Sequence, residues 1–246
     1  MKVLKVIIIS FLAVFILNGC VQYEVGINFQ SQTHGEIVQH IKLAKKLRNF
    51  SREIVSDWIK SIESRTYQLE GKTKRISRQE ILVTIPFNNG SDLAEKFNSF
   101  FAYNNSGESQ NYTPETGVDL PQLASHIDVN QKNFLVALRN KLSMDLDLRL
   151  STDNSKVVVN PADLLDVEFQ LITPWGFKSI QSSENSTIYY QNDQEITWKL
   201  KPGEINSLDV VFWVPSPIGI GAILISLFVY LGIALKYQIL PTLETK

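Results

Sequence analysis

The sequence predicts an α+β protein: a mainly antiparallel β-sheet with about two helices packed on it, plus one C-terminal transmembrane helix. Three observations support this class. Stretches of alternating apolar and polar residues, typical of half-buried strands, recur through most of the chain. Two segments carry apolar residues at helical spacing, without a regular alternation of strands and helices. Near the C-terminus, residues 218–235 contain no charged side chain.

Residues 1–19 are typical of a secretory signal. A basic start precedes an apolar run over 6–17, and the segment ends on Gly19 before Cys20. This ending resembles the bacterial lipobox, in which the cysteine thiol receives diacylglycerol and becomes the new N-terminus, although Asn18 stands where a smaller residue is usual. We therefore predict lipidation at Cys20. The alternative is an uncleaved signal anchor with an incidental cysteine.

Cys20 is the only cysteine in the chain, so an intramolecular disulfide is excluded. A lone thiol at the end of a signal is better explained by acylation than by a redox or metal site. Acyl chains on Cys20 and a membrane helix near the C-terminus would attach the domain between them, residues 20–214, to the membrane at both ends.

The chain after Cys20 begins with a predicted antiparallel hairpin. Apolar side chains occupy every second position from Val21 to Phe29 and again from Ile37 to Leu43, and turn residues lie at 31–35.

Two helices are expected in the next part of the chain. Ser51 can cap the first, whose apolar residues between 54 and 62 recur on one face. Ser91 or Asp92 can cap the second, which is shorter and carries three phenylalanines. These helices would cover one face of the sheet.

The other segments are predicted to be strands around one long loop. Residues 73–87 suggest a single strand, and 103–130 predict an irregular loop of unassigned role because they are rich in Asn, Ser, Gly, Gln and Pro. Apolar residues at even positions from 134 to 150 form either one long strand or two that join near Asn140. Further strands are expected at 164–172, 186–190, 195–200 and 207–213.

Residues 215–236 are predicted to form a single transmembrane helix. The uncharged run 218–235 is about 27 Å long as a helix, close to the hydrocarbon thickness of a bilayer. It also lacks the polar stripe of a core helix in a soluble domain. Lys236 follows at once, which favours a cytoplasmic C-terminus with 237–246 as a short tail, and Trp213 can anchor the other membrane–water boundary.

Charge is distributed unevenly along the chain. The totals of 24 basic and 25 acidic residues argue against nucleic acid as a partner. Residues 42–78 hold eleven basic and four acidic residues, a net of +7, whereas 79–173 hold six and thirteen, a net of −7. The first segment would give a basic face able to approach anionic lipid or an acidic partner; the alternative is a mixed, solvated surface. The candidate basic residues are Lys42, Lys45, Lys46, Arg48, Lys72, Lys74, Arg75 and Arg78.

The sequence offers little for catalysis or for a cofactor. His34, His40 and His126 are dispersed, and neither a metal-binding motif nor a nucleophile motif is present. The neighbouring carboxylates Asp145 and Asp147 alternate with apolar strand residues, as on a solvated strand face. We therefore predict a protein that is not an enzyme and that binds neither metal nor cofactor.

Aromatic residues are frequent in the C-terminal third. Trp175, Trp198, Tyr189 and Tyr190 could line a ligand site, but core packing is the commoner role and is our prediction for them. Trp213 is the exception, because it lies just before the membrane helix.

Three stretches resemble an uncharacterised cyanobacterial lipoprotein family with plastid relatives. They are GCVQYEVGINF at 19–29, HGEIVQHIKL at 34–43 and FWVPSPIG at 212–219. The layout of lipidated cysteine, ectodomain and terminal helix is also similar to that of mycobacterial LppM-like lipoproteins, for which lipid binding has been proposed. The first resemblance implies a plasma or thylakoid membrane, with the domain in the periplasm or lumen. Neither resemblance implies catalytic residues.

The function that the sequence favours is a membrane-tethered, non-enzymatic binding or scaffolding ectodomain that contacts membrane lipids and meets another membrane protein beside the bilayer. The double attachment, the lack of catalytic motifs and the uneven charge support it. The alternative is a lipid- or amphiphile-binding domain with an apolar cavity, and a third hypothesis is an enzyme whose residues assemble only in the fold. A large apolar cavity would favour the second hypothesis, whereas a packed core with an exposed patch would favour the first.

Overall fold

The computed structural model describes residues 21–43, 52–102, 124–149 and 165–239. The predicted signal, Cys20, Ser51, most of the predicted loop and residues 240–246 lie outside these ranges. The described part of the chain forms eleven strands and three helices. The strands are β1 (Val21–Ser31), β2 (His34–Leu43), β3 (Lys72–Ser77), β4 (Glu80–Phe87), β5 (Ala124–Phe134), β6 (Ala137–Asp147), β7 (Leu165–Ile172), β8 (Phe177–Ser182), β9 (Ser186–Gln191), β10 (Glu195–Leu200) and β11 (Ile205–Pro215). The helices are α1 (Arg52–Gln68), α2 (Gly90–Ala102) and α3 (Pro217–Ile239).

The strands form two sheets. The larger sheet has seven strands in the order β3-β4-β2-β1-β7-β10-β9, and the smaller has four in the order β5-β6-β11-β8. Neighbouring strands are antiparallel except β1 and β7, which run parallel. Two packed helices and a third, apolar one complete the fold. The predicted α+β class is confirmed.

One hydrophobic core joins both sheets and the first two helices. In β1 the apolar residues at odd positions from Val21 to Phe29 are buried, and the residues between them are mostly half-buried. Phe29 is in ring contact with Phe87 of β4 and with Phe212 of β11, at centroid distances of 5.1 and 4.8 Å. These contacts link the two sheets, and the alternation gives the larger sheet a core face and an outer face.

Both packed helices form as predicted, but α2 is capped differently. Its N-cap is Asn89, whose side-chain oxygen accepts the backbone N–H of Asp92 at 2.9 Å. The prediction of Ser91 or Asp92 as the cap is therefore wrong, because the helix already begins at Gly90. The Asp92 carboxylate instead accepts the backbone N–H of Asn88 at 2.8 Å. The helices contribute to the core Ile59 and Ile62 from α1 and Leu93, Phe97, Phe100 and Phe101 from α2.

The strand predictions differ from the structure at two edges of the sheets. Residues 73–87 form the β3–β4 hairpin with a turn at Arg78 and Gln79, not one strand. Strand β8 has no counterpart among the predictions, because its largely exposed residues at a sheet edge lack a clear alternation. Strands β7, β9, β10 and β11 lie within two residues of their predicted bounds.

Strand β5 occupies part of the predicted irregular loop. It pairs with β6 along its whole length, yet Ile127 is its one fully buried side chain among those described. An edge strand with so few buried positions lacks the apolar alternation by which strands are predicted. β5 and β6 meet in a tight turn at Leu135 and Val136, not near Asn140, which lies within β6.

Helix α3 leaves the folded domain. Residues 217–237 have a mean hydropathy of 2.5, and 6% of this segment is buried. With 23 residues the helix is about 35 Å long. The described part of the chain thus has one helix that is long and apolar enough to cross a membrane.

Several turns lie at the end of the domain from which α3 departs. Gln32, in the β1–β2 turn, donates its backbone N–H to the carbonyl of Pro215 at 3.2 Å. Because β7 runs parallel to β1, the turn that follows it at 173–176 lies at this same end. The β9–β10 turn lies there too, since Glu195 pairs with Ile172. We call this the α3 end.

The β3–β4 turn marks the opposite end of the larger sheet. The Gln79 carbonyl accepts the backbone N–H of Leu43 at 2.8 Å, and Leu43 pairs with Val21 at the start of β1. Strand β1 has 11 residues, so the two ends are about 30 Å apart along it.

Gly176 provides a test of how tightly the turns at the α3 end are packed. Its φ is +72°, and a Cβ at this position would lie 2.4 Å from the carbonyl oxygen of Asp193. We expect Gly176→Ala to lower the free energy of unfolding by about 2–4 kcal/mol, because backbone strain adds to a clash with main chain. Thermal unfolding of the full chain in mild detergent measures this loss.

Gly203→Ala is the matched control. Gly203 has a similar φ of +82°, but a Cβ there would meet nothing within 4 Å. It should therefore show the backbone cost alone, about 1–2 kcal/mol. Equal destabilisation by the two substitutions would contradict the close packing of the two turns.

Candidate functional site

Helix α3 is joined to the core by one capping residue. Ser216 separates β11 from α3 and is buried. Its side-chain oxygen accepts the backbone N–H of Gly219 at 3.2 Å, and its carbonyl accepts that of Ile220 at 3.0 Å. Pro217 then occupies the first helical position, where its missing N–H costs nothing. The helix therefore starts directly at the domain surface.

Two hairpin turns hold this junction. The β1–β2 turn contacts Pro215 through the Gln32 hydrogen bond, and the β5–β6 turn accepts the backbone N–H of Ser216 at the Val136 carbonyl, at 2.9 Å. The Leu135 carbonyl packs against Gly219 so closely that a Cβ on Gly219 would lie 1.5 Å from its oxygen. The start of α3 is thereby fixed relative to the sheets.

The predicted membrane-interface anchors lie at the two ends of α3. Trp213 is half-buried on β11, with its ring 5.3 Å from that of Phe134 at the end of β5. Lys236 is exposed near the C-terminal end of the helix. Residues 217–236 span about 30 Å as a helix, the hydrocarbon thickness of a typical bilayer. Their spacing suits the predicted roles.

The candidate basic residues do not all share one face. Strand pairing places Lys42 on the outer face of the larger sheet, together with Lys72 and Lys74. Arg75 points the other way and forms a two-pronged ion pair with Glu63 of α1, at 2.6 and 2.7 Å. The Arg78 side chain lies exposed in the β3–β4 turn, at the end opposite α3. Lys45, Lys46 and Arg48 lie outside the described residues.

An exposed aromatic edge lies on the flank of the larger sheet toward the α3 end. We define it as Trp175, Ile188, Tyr189 and Tyr190, which are 52, 41, 70 and 47% exposed. The prediction that these aromatic residues pack in the core is wrong for Trp175, Tyr189 and Tyr190. It is right for Trp198, which is fully buried and stacks on Phe169 at 5.7 Å. Composition alone did not distinguish an edge strand from an inner one.

A β-bulge displays the most exposed of these aromatic residues. Tyr190 pairs with Thr197 and Ile188 pairs with Trp198, so Tyr189 is an extra residue in β9. A bulge turns a side chain outward and interrupts the hydrogen-bonding edge of the strand. The turn that carries Trp175 packs against the β9–β10 turn through a hydrogen bond from the Gln194 side chain to the Pro174 carbonyl, at 2.9 Å. The residues of the aromatic edge are therefore held in place by strand pairing and by contacts between the two turns.

A polar cleft adjoins the aromatic edge. It has a volume of about 320 Å³ and lies between residues 177–180 of β8 and residues 191–193 at the end of β9. Polar side chains such as Lys178, Asn192 and Asp193 dominate its lining. Its walls suit a polar segment of a partner better than an acyl chain.

His40 is held between two carboxylates on the outer face of the larger sheet. Its Nδ1 lies 3.1 Å from Glu24, and its Nε2 lies 2.8 Å from Glu80. Burial lowers the pKa of His40, but the hydrogen bonds and charges of the two carboxylates outweigh it and raise that pKa above its usual 6.5. His34 and His126 are exposed on other parts of the chain. The described residues contain no group of three or more metal-ligand side chains placed to hold an ion.

The His40 cluster predicts a pH dependence of stability. Because folding raises the pKa of His40, the protonated histidine stabilises the fold. This stabilisation is fully present below about pH 6.5, the usual pKa of the group, and is lost as pH rises through the folded-state pKa. His40→Gln should therefore lower the melting temperature more at about pH 6 than at about pH 8.5, with an effect of up to about 1 kcal/mol. Melting of the full chain in detergent at both pH values measures it.

His126→Gln, at an exposed histidine of β5, is the control and should leave the pH profile unchanged. The pKa of the Glu168 carboxyl is also raised, mainly by burial and then by the charges of Asp166 and Glu24. Glu168 is unchanged in both variants, so its contribution is the same in every profile. The difference from the unmodified chain thus isolates His40. A His40→Gln profile parallel to that of the unmodified chain would contradict the role of the two carboxylates.

Comparison with known proteins places this architecture in a family. The search of curated proteins found no significant match. The fold is similar to that of the folded domain of the LppM protein from Mycobacterium tuberculosis, with a TM-score of 0.45 and 11% identity over 81% of this chain and 92% of that one. A family described as protein of unknown function matches residues 25–240, from β1 through α3. The chain therefore belongs to the DUF3153 family.

Proposed function

We propose that this protein is a membrane-anchored, non-enzymatic binding or scaffolding module whose domain meets another membrane protein beside the bilayer. The observation that carries the proposal is the aromatic edge, exposed on a packed domain toward the end from which α3 departs. Tryptophan and tyrosine are the residue types that most often anchor protein interfaces. A patch toward the α3 end would face the extramembranous part of a neighbouring membrane protein.

The packing of the core supports this proposal over the amphiphile-binding alternative. An acyl chain needs an enclosed apolar cavity between sheet and helices. Phe97, Phe169 and Trp198 are instead fully buried among their neighbours, and the cleft beside β9 has polar walls. Apolar surface is displayed outward at the edge, where a protein can cover it.

The bulge in β9 indicates how the partner is bound. An unbroken edge strand recruits partners by adding a strand through main-chain hydrogen bonds. The extra residue Tyr189 interrupts that edge. Recognition therefore rests on the side chains of the aromatic edge, with the adjoining cleft receiving polar groups of the partner.

The arrangement of His40 supports a non-enzymatic role. A general base needs a ring nitrogen directed at a substrate or nucleophile. Both ring nitrogens of His40 instead face the carboxylates of Glu24 and Glu80. We assign this cluster to the stability of the sheet.

The proposed topology places the domain in the periplasm or lumen and the residues after α3 in the cytoplasm. The basic Lys236 at the C-terminal end of α3 favours this direction under the positive-inside rule. The resemblance to cyanobacterial and plastid lipoproteins supports a plasma or thylakoid membrane. Lipidation of Cys20 would supply a second attachment.

Site-specific crosslinking tests the partner surface. A photoreactive phenylalanine analogue at Tyr189 should form one covalent adduct with a membrane protein when the full chain is irradiated in its membrane, because Tyr189 is the most exposed member of the edge. The same analogue at Tyr67 of α1, which is 63% exposed, is the matched control and should give none. Mass spectrometry identifies the adduct and any co-purified lipid.

Two outcomes would count against the partner surface. Equal adducts at Tyr189 and Tyr67 would mean that the contacts are random collisions. A protein that purifies without partners but with one stoichiometric lipid species would move the assignment to the amphiphile-binding alternative.

Removal of the predicted acylation site tests the anchor. Because α3 can span the bilayer by itself, a full-length Cys20→Ala protein should stay in the membrane fraction after an alkaline wash. Intact-mass measurement of the same samples should show acyl chains on the unmodified protein and none on the variant. Release of the Cys20→Ala protein into the soluble fraction would show that α3 does not span.

A further inference from the structure

The tip of the β5–β6 hairpin is apolar and exposed. It consists of Phe134, Leu135 and Val136, which are 53, 63 and 38% exposed. Three consecutive apolar residues in solvent are unusual at a hairpin turn, where polar residues and glycine predominate. We call these three residues the hairpin tip.

The backbone of the tip makes its composition more unusual. Leu135 has a φ of +53°, and the Val136 N–H is donated to the Phe134 carbonyl at 2.5 Å across it. Glycine and asparagine adopt positive φ readily, whereas leucine does so at a cost of about 1–2 kcal/mol. A leucine that is both strained and exposed contributes little to folding at this position. Such a residue points to a role outside the fold.

The tip is fixed beside the start of α3. The Leu135 carbonyl packs on Gly219, the third residue of the helix, and the Val136 carbonyl accepts the Ser216 N–H. Leu135 therefore lies level with the first turn of α3. Ile218 in that turn is itself 71% exposed, so apolar surface is continuous from the tip onto the helix.

Two cations flank the tip. Lys132 and Arg139 are paired across β5 and β6, and Arg139 is paired with Trp213 of β11. Phe134 lies on the same face of the smaller sheet, two residues from Lys132. Neither cation forms an ion pair within the described part of the chain. An apolar tip with two cations behind it, unpaired among the described residues, is complementary to a bilayer surface, where anionic head groups lie above the acyl chains.

We propose that the hairpin tip inserts into the interfacial layer of the leaflet that α3 enters, with Lys132 and Arg139 at the head-group phosphates. This inference rests on the proposed membrane anchoring by α3. It adds a second, non-covalent contact with lipid that sets how the domain stands on the membrane. The occupant of this apolar surface is lipid, because α3 carries the surface directly into the bilayer.

Depth-dependent fluorescence quenching tests the insertion. In full-length protein with Cys20→Ser, a single Leu135→Cys carries an environment-sensitive fluorophore, and the protein is reconstituted in phosphatidylcholine–phosphatidylglycerol vesicles. We expect a blue-shifted emission that lipids with a quencher near the head group reduce more than lipids with a mid-chain quencher. Ile76→Cys in β3 is the matched control, because Ile76 is 52% exposed near the opposite end of the domain. Its label should show neither effect.

A label at Leu227→Cys, an exposed position in the middle of α3, separates the two proposals. Suppose that mid-chain quenchers strongly reduce the emission of the Leu227 label, while the Leu135 label behaves like the Ile76 label. This result would overturn the tip insertion and leave the anchoring by α3 intact. No quenching at Leu227 would overturn both. Val136→Cys gives a second reading of the tip if the Leu135 variant folds poorly.

Charge removal tests the role of the flanking cations. Lys132→Ala with Arg139→Ala should reduce quenching of the Leu135 label in vesicles that contain phosphatidylglycerol and change it little in phosphatidylcholine alone. Lys141→Ala, at a β6 lysine that lies 3.6 Å from the Asp209 carboxylate, is the control and should have no such effect. Equal loss in both kinds of vesicle would assign the cations to the fold and contradict contact with phosphates.

Discussion

Ser216 alone connects the last core strand to the helix that can cross a membrane, and this short connection constrains the rest of the α3 end. β11 lies inside the smaller sheet, between β6 and β8, so its direction is set by the core. The helix cap and the hydrogen bonds to Gln32 and Val136 leave no flexible linker after it. The domain can therefore change its orientation relative to α3 only by breaking these contacts. Whatever surface surrounds Ser216 is held at the membrane if α3 spans it.

The chemistry of the domain differs between its two ends. The α3 end carries the hairpin tip and Trp213, and the aromatic edge lies toward it. At the opposite end lies the β3–β4 turn with Arg78, about 30 Å away along β1. The basic segment that stands out in the sequence is thus divided by the fold: some of its cations face outward on the larger sheet, and Arg75 is neutralised by Glu63. A net charge counted along the chain does not become a single surface.

The sequence predicted best those elements whose residues alternate between core and solvent. Strands β1, β2 and β11 are of this kind, and α3 was evident from the absence of charge. Strands β5 and β8 were missed because an edge strand can bury few side chains and still complete its hydrogen bonds. The turn at Leu135 was missed because an apolar residue with positive φ contradicts turn chemistry. Tyr189 was misassigned because a bulge in the register, invisible in one sequence, decides that it points outward. The features that sequence reasoning missed are therefore concentrated where the fold departs from regular patterning, and the candidate functional surfaces lie there too.

The course of β1 has a mechanical consequence for a lipidated form of the protein. In the sequence Cys20 immediately precedes Val21, the first residue of β1, which lies at the end of that strand remote from α3. An acyl chain on Cys20 and the start of α3 would then be two attachment points at opposite ends of a stiff strand about 30 Å long. Both can reach one bilayer only if β1 lies roughly parallel to its surface. An upright domain and a doubly attached domain thus exclude each other on a single membrane. Because the contacts around Ser216 fix the domain relative to α3, double attachment would require either a tilted α3 or the loss of those contacts.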